Sequence, residues 1–164
     1  MIHGLLLCTV YHNKPCFVKN GFTLPVATYL DYERMTAYEI LDFYMESFIE
    51  LYRYKRDLLR FNQFFNIYIQ SENVDPDVMK PYRDIIDEMK AGFHAIYTRA
   101  GQNHTVRTDE TEEEMFSTTL HLMLAAVTRY AVGLAFQPEG FDALKELEFQ
   151  KKAILAQYRV RQKY

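Results

Sequence analysis

The spacing of apolar residues changes at about residue 36. Before that point, β-branched and aromatic residues are interrupted by prolines and by the pair Asn20-Gly21, and an Asn-Gly pair between apolar runs is typical of a hairpin turn. After that point, apolar residues recur at the three- and four-residue intervals of a helix face. The pattern predicts an irregular or short-hairpin segment over residues 1–35 and a helical domain over residues 36–164.

The first predicted helix runs from about Thr36 to Tyr54. Thr36 and Glu39 have the spacing of a capping box, in which each side chain accepts a hydrogen bond from the backbone amide of the other residue. A polar break at residues 55–57 separates this helix from a second one, which ends near Ser71. The second helix carries an aromatic-rich stripe through Leu58, Phe61, Phe64, Phe65, Tyr68 and Ile69.

Charged and special residues mark the start of two further helices. Asp75 followed by Pro76 predicts the start of the third, because aspartate caps free amides and proline is tolerated at the first helical position. Gly101 predicts its end. The acidic run from Asp109 to Glu114 predicts the start of the fourth, where carboxylates interact favourably with the helix dipole.

The fourth predicted helix, which extends to about Phe136, is apolar on two sides. A helix of this kind must be covered on two sides, so we expect it to pack both within the chain and against another helix. A last helix from about Phe141 completes an all-α helical bundle. The two stripes of the fourth helix pass through Met115, Thr119, Leu122, Ala126 and Tyr130, and through Phe116, Leu120, Met123, Val127 and Leu134.

Composition places the chain among ordinary folded domains. Of its 164 residues, 49% are hydrophobic and 15% aromatic, which is enough for one core. The net charge of −3 argues against a surface that neutralises nucleic-acid phosphates by itself. Cys8 and Cys16 form no CxxC pair, and the apolar segment over residues 4–10 is too short to span a bilayer and has no signal-peptide features. We therefore expect a cytoplasmic protein that does not enter the membrane.

No pattern in the sequence indicates catalysis or metal binding. No glutamate is followed three residues later by a histidine, as helical di-iron sites require, and no two histidines are four residues apart. Phosphate-loop, GxGxxG and GxSxG patterns are absent as well. We expect no enzyme activity and no cofactor. The histidines are His3, His12, His94, His104 and His121.

Polar residues mixed into the aromatic stripes leave two interpretations open. Asn62, Asn66, His94 and Tyr97 lie on or beside apolar faces, and a buried polar group without a partner costs about 1–3 kcal/mol. A filled core can supply those partners through its own hydrogen bonds. A ligand cavity between incompletely closed helices, lined by apolar side chains and a few polar groups, can supply them too.

Two stretches resemble TetR-family transcriptional regulators over about residues 36–158. The segment Gly101–Asp109 (GQNHTVRTD), with the long helix after it, is similar to the loop with an I/V-R-x-D element that precedes the dimerising helix of that family. Residues 140–155 are similar to its final helix. The resemblance implies an effector-binding and dimerisation domain that forms a homodimer through its last two helices.

The resemblance also implies roles for particular residues. A cavity among the second, third and fourth helices would bind a small, largely apolar effector, and the last two helices would form the dimer interface. The implied cavity residues are Phe61, Phe65, Tyr68, Phe93, Tyr97, Met115, Thr119 and Leu122. The implied interface residues are Leu124, Ala125, Thr128, Val132, Leu147 and Ile154.

The chain departs from the TetR pattern at its amino terminus. The family carries a helix-turn-helix domain of three helices there, and residues 1–35, with their prolines and Asn-Gly turn, do not fit it. We therefore expect DNA binding only if such a domain lies upstream of Met1. The alternative is a stand-alone helical protein–protein interaction module with a filled core and no ligand.

Overall fold

The computed structural model describes residues 9–11, 14–16 and 34–160, with gaps at residues 72–74 and 135. Five helices and one short pair of strands form this part of the chain. This architecture confirms the predicted all-α bundle. The predicted Asn20-Gly21 turn lies outside the described residues. The helices are α1 (Ala37–Tyr54), α2 (Arg56–Ser71), α3 (Pro76–Asn103), α4 (Glu112–Val132) and α5 (Ala143–Tyr158), and strands β1 (Thr9–Tyr11) and β2 (Lys14–Cys16) pair antiparallel.

Like α4, helix α1 is a central element, because it contacts each of the other four helices. Tyr44 anchors its aromatic contacts, with its ring edge-on to Phe48 at 5.6 Å and to Phe93 of α3 at 5.8 Å between ring centroids. Phe93 in turn lies 5.7 Å from Phe116 of α4. The buried residues of α1 are Ala37, Ile40, Leu41, Tyr44, Met45, Phe48, Ile49 and Tyr52.

Capping boxes fix the start of two helices. Thr36 and Glu39 form the predicted box at α1, with the Thr36 amide 2.7 Å from Glu39 Oε2. Thr111 and Glu114 form a second box at α4, with the Thr111 amide 2.9 Å from Glu114 Oε2. The sequence predicted the acidic start of α4 but not this box, which lies inside the acidic run.

Two predicted helix ends are wrong by a few residues. Helix α3 continues past Gly101 to Asn103, and His104 adopts the left-handed conformation at φ 53°. The turn falls there because Asn103 Oδ1 accepts hydrogen bonds from both the amide and the hydroxyl of Thr105. Helix α4 ends at Val132 and not at Phe136, since Gly133 takes φ 112°, which favours glycine.

Lys151 ties α5 to α1. Its Nζ lies 2.6 Å from Glu46 Oε2 and 3.2 Å from Asp42 Oδ1, and only 11% of the side chain is exposed. Burial opposes the charged form, but hydrogen bonds to Glu46 and Asp42 outweigh it and raise the pKa of Lys151 above its usual value. The lysine therefore stays protonated at neutral pH and holds the two helices together through charge.

We expect Lys151→Met to lower the free energy of unfolding by about 1–2 kcal/mol, because Glu46 and Asp42 lose their cation while remaining partly hydrated. Urea unfolding followed by circular dichroism measures the change. Lys152→Met is the matched control, since the neighbouring side chain is exposed, and it should change stability by less than about 0.5 kcal/mol. Equal effects of the two substitutions would contradict the role of Lys151.

Candidate functional site: the outer face of the last two helices

Helix α4 exposes several apolar side chains to solvent on one side, which also carries the exposed Thr118 and His121. Leu122, Ala125, Arg129 and Val132 are all exposed, with Leu122 at 51% and Val132 at 47%. They follow one another at intervals of three, four and three residues, so they share one side of the helix. The opposite side of α4 packs in the core. Helix α4 therefore has apolar residues on two sides, and the described residues cover only the side that faces the core.

Helix α5 continues the exposed surface beside α4. Gln150 Nε2 donates to the Tyr130 hydroxyl of α4 at 3.0 Å, which places this side of α5 next to α4. Glu146 and Ala153 lie one turn before and after Gln150 and are exposed. Phe149 is 68% exposed. We call the combined surface of Leu122, Ala125, Arg129, Val132, Glu146, Phe149 and Ala153 the outer face.

Helix α2 carries a second exposed apolar surface. Phe61, Phe64 and Tyr68 point away from the core, and Phe64 is 66% exposed. Phe65, at the edge of this surface, stacks on Phe61 with 6.0 Å between ring centroids and reaches Tyr82 of α3 at 5.9 Å. Burial raises the pKa of Tyr82. Aromatic rings thus form a contact between α2 and α3 that is open to solvent on one side.

The eight predicted effector-binding residues fall into four groups. Phe93, Met115 and Thr119 are buried in the core. Phe65 and Tyr97 are half-buried, while Phe61 and Tyr68 lie on the exposed surface of α2. Leu122 lies on the outer face of α4, away from the predicted inner stripe. The structure therefore does not gather the eight into one lining: Phe93 and Met115 share the core cluster, whereas Phe61 and Phe65 stack on each other at the surface of α2.

The six predicted interface residues lie partly at exposed and partly at buried positions. Ala125 and Val132 are exposed, and Leu124 is half-buried. Thr128, Leu147 and Ile154 are buried within the single chain, so their side chains do not form a surface that a second molecule could meet. Leu147 and Ile154 face inward because one side of α5 packs on α1 and α4. Of the predicted set, Ala125 and Val132 are the members that belong to the outer face.

The segment Val106–Asp109, which carries the V-R-x-D pattern, joins the ends of several helices. Val106 forms a β-bridge with Arg159, and the Arg107 amide donates to Tyr158 O at 2.8 Å. The Arg107 side chain also reaches Gln157 O at 3.2 Å and pairs with Asp109. The hydrogen bond from Arg107 lowers the pKa of Asp109. The pattern therefore has a structural role in fastening the α3–α4 connection to the end of α5.

Polar contacts orient the start of α4 against α3. The Tyr97 hydroxyl donates to Glu110 O at 2.9 Å, and His94 Nδ1 lies 2.9 Å from Glu112 Oε2. One turn earlier on α3, Lys90 pairs with Glu113, and this hydrogen bond raises the pKa of Lys90. The acidic start of α4 is thus matched by a polar stripe on α3, in addition to its favourable interaction with the helix dipole.

The core accounts for its buried polar groups only in part. The Tyr158 side chain is buried, and burial raises its pKa. The Thr119 and Thr128 hydroxyls of α4 are buried too, and neither forms a hydrogen bond with the described residues. Because a buried hydroxyl without a partner is destabilising, the filled core does not by itself satisfy the polar groups of α4.

Sequence reasoning missed the polar members of the outer face. Arg129 and Glu146 were not singled out, although Arg129 interrupts an apolar run at helical spacing. That interruption was the available signal, because a lone charge in an apolar stripe calls for an oppositely charged partner. Lys151 was missed as well, since its partners Glu46 and Asp42 lie on a distant part of the chain.

The described residues contain neither a metal-binding cluster nor a membrane span. No three histidine, cysteine, aspartate or glutamate side chains come together there as a metal site, and no helix in that part is both long and apolar enough to cross a membrane. Comparisons of the chain with protein-family models, curated proteins and solved structures found no match. The exposed apolar surfaces of α2, α4 and α5 are therefore the features that bear on function.

The pairing of Arg107 with Asp109 predicts a change in acid stability. Because the folded pKa of Asp109 is lowered, its contribution is present above the unfolded pKa of about 3.9 and is lost as pH falls through the folded value. We expect the melting temperature of Asp109→Asn to lie below that of the unmodified protein at pH 6, with the gap closing toward pH 3. Glu139→Gln, which removes an exposed carboxylate that forms no ion pair with the described residues, is the control. A gap that stays constant with pH would contradict this assignment.

Proposed function

We propose that this chain is the ligand-sensing and dimerisation core of a TetR-like transcriptional regulator. The observation that carries the proposal is the outer face, which leaves apolar side chains of α4 and α5 in contact with water. Single exposed apolar residues are common on soluble proteins, but several of them on adjacent sides of two neighbouring helices favour an interaction site. The sequence resemblance assigns these same two helices to the dimer interface.

The spacing of the outer face favours a helical partner. Intervals of three, four and three residues between Leu122, Ala125, Arg129 and Val132 are those of helices that pack side by side in a bundle. Ala125 and Ala153 are small, so a neighbouring helix can approach closely. Two copies related by a two-fold axis would bring α4 and α5 of each chain into a four-helix bundle with the same surface on both sides.

The ring contact between α2 and α3 supports a sensing role. Phe61, Phe65 and Tyr82 offer aromatic surface that is only partly covered, and ligand pockets between helices are lined mainly by such side chains. A small apolar effector bound there would contact α3. Since α3 holds the start of α4 through Tyr97, His94 and Lys90, the effector site and the dimer surface would be connected through one helix.

DNA reading belongs to another part of such a regulator. The chain has a net charge of −3, which disfavours binding to phosphates by the helical core alone. In a regulator that also carries a helix-turn-helix domain, the effector would shift the population between dimers that fit the operator and dimers that do not. Sequence-specific duplex binding by the purified chain would count against this division of roles.

A protein–protein interaction module without a ligand is the second candidate. The observation that favours it is the burial of Phe93, Met115 and Thr119, three predicted cavity residues that lie in the core. The exposed aromatic surface of α2 would then contact another protein. The two candidates differ in whether a small apolar molecule stabilises the fold.

We expect the chain to sediment as a dimer and Ala125→Lys to convert it to a monomer, because a second cation would enter the seam one turn from Arg129. Analytical ultracentrifugation at several protein concentrations measures the change. Ala91→Lys is the matched control, since Ala91 is an exposed alanine on α3, and it should leave the dimer intact. If Ala125→Lys also remains dimeric, the interface is not the outer face.

An apolar effector should raise the melting temperature. A ligand that binds only the folded state stabilises it by about 2.7 kcal/mol at a hundredfold excess over its dissociation constant. We expect Phe65→Ala to reduce the shift given by a hit from a library of small apolar and aromatic molecules. Phe136→Ala, at an exposed aromatic residue outside the α2–α3 contact, should preserve the shift. A library without any stabilising compound would favour the interaction module.

A further inference from the structure

Two opposite charges on the outer face have no partner in the described chain. Arg129 lies on α4 between Ala125 and Val132, and Glu146 lies on α5 one turn before Gln150. Both are exposed, and neither forms an ion pair or a side-chain hydrogen bond with any residue that the structure describes. As far as the described residues go, the outer face therefore carries one cation and one anion without an oppositely charged partner.

Other carboxylates near this surface are already engaged. Glu113 pairs with Lys90, Glu114 caps α4 through Thr111, and Glu148 lies 3.5 Å from Lys151 Nζ. Within the described parts of α4 and α5, Glu146 is thus the carboxylate on the outer face that remains available. Its position beside α4 follows from the hydrogen bond between Gln150 and Tyr130.

Burying the Arg129 guanidinium in an interface would cost free energy unless an anion of the partner bound it. Removing a charge from water in an apolar interface costs several kcal/mol, and a well-placed opposite charge offsets much of that cost. In an interface between two identical copies, a contact from residue i to residue j occurs twice, once in each direction. A surface that carries both an unpaired arginine and an unpaired glutamate can therefore satisfy both charges by meeting a second copy of itself.

We propose that Arg129 of one copy pairs with Glu146 of the second copy, and that this pair selects the chain itself as the partner for the outer face. The inference rests on the proposed dimerisation and deepens it. An unrelated apolar surface would cover Leu122 and Phe149 equally well but would leave both charges unpaired. The ion pair accordingly adds specificity and register to an interface whose area is mostly apolar.

Charge reversal tests the pair directly. Arg129→Glu and Glu146→Arg should each raise the dimer dissociation constant by about tenfold or more, which corresponds to about 1.4 kcal/mol, because each places like charges opposite one another. The double variant Arg129→Glu/Glu146→Arg should return to within about threefold of the unmodified chain. Sedimentation equilibrium measures the dissociation constants, and the compensation in the double variant is the decisive result.

Two controls separate the pair from general effects of charge. Arg83→Glu makes the same change in net charge as Arg129→Glu, and Arg83 is exposed on α3, outside the outer face, so it should leave the dissociation constant unchanged. Glu146→Arg also places a cation in the first turn of α5, where it opposes the helix dipole. The neutral variant Glu146→Gln removes the carboxylate without adding a cation. Thermal unfolding of each variant shows whether the substitution destabilises the fold of the single chain.

The outcomes distinguish this inference from the proposed function. A chain that is monomeric at all concentrations overturns the dimer and with it the ion pair. A dimer whose double variant is as weak as the single variants, or whose single variants dissociate no more readily than the unmodified chain, overturns the ion pair and leaves the dimer standing. Restored association in the double variant supports both.

Discussion

The structure depends on the burial of one side of α1. The buried residues of this helix recur at helical spacing, while Glu39, Asp42, Glu46 and Glu50 lie on the opposite side, so the helix is stable in water only when other helices cover its apolar side. Each of the remaining four helices contacts α1. Helices α2 and α4 also expose apolar residues on a side that faces away from this core. The exposed apolar surfaces of α2 and α4 are thus what remains uncovered once the core around α1 is closed.

Contacts within the chain fix the position of both ends of α4. Its start is fixed by the Thr111 capping box and by Tyr97, His94 and Lys90 of α3. Near its end, Arg60 of α2 donates to Ala131 O at 2.7 Å. A helix fixed in this way presents its exposed stripe in one orientation. Preorganisation of this kind lowers the entropy cost of association.

Local signals in the sequence predicted the number and type of the helices well. The Thr36 capping box and the Asp75-Pro76 start depend on residues within a few positions of each other, so they can be recognised without a structure. Helix ends were less predictable. Gly101 does not end α3, because Asn103 and its hydrogen bonds to the next loop decide where the chain turns.

The candidate site was predictable only in outline. The sequence shows that α4 is apolar on two sides, but not which side the rest of the chain will cover. Leu122 was therefore assigned to the inner side and lies on the outer one, while Leu147 was assigned to an interface and lies in the core. Contacts such as Lys151 with Glu46, separated by 105 positions, depend on the tertiary arrangement and leave no local pattern.

The short β-bridge between Val106 and Arg159 joins the α3–α4 connection to the end of α5, so that these two segments unfold locally together. The Arg107 amide is bonded to Tyr158 O, and the Val160 amide to Thr105 O at 3.3 Å, so neither segment can open without breaking hydrogen bonds of the other. A connection between helices and the last turn of a helix are usually the first regions to fray. Here, the two protect each other, and their amides should exchange with solvent through a single common opening.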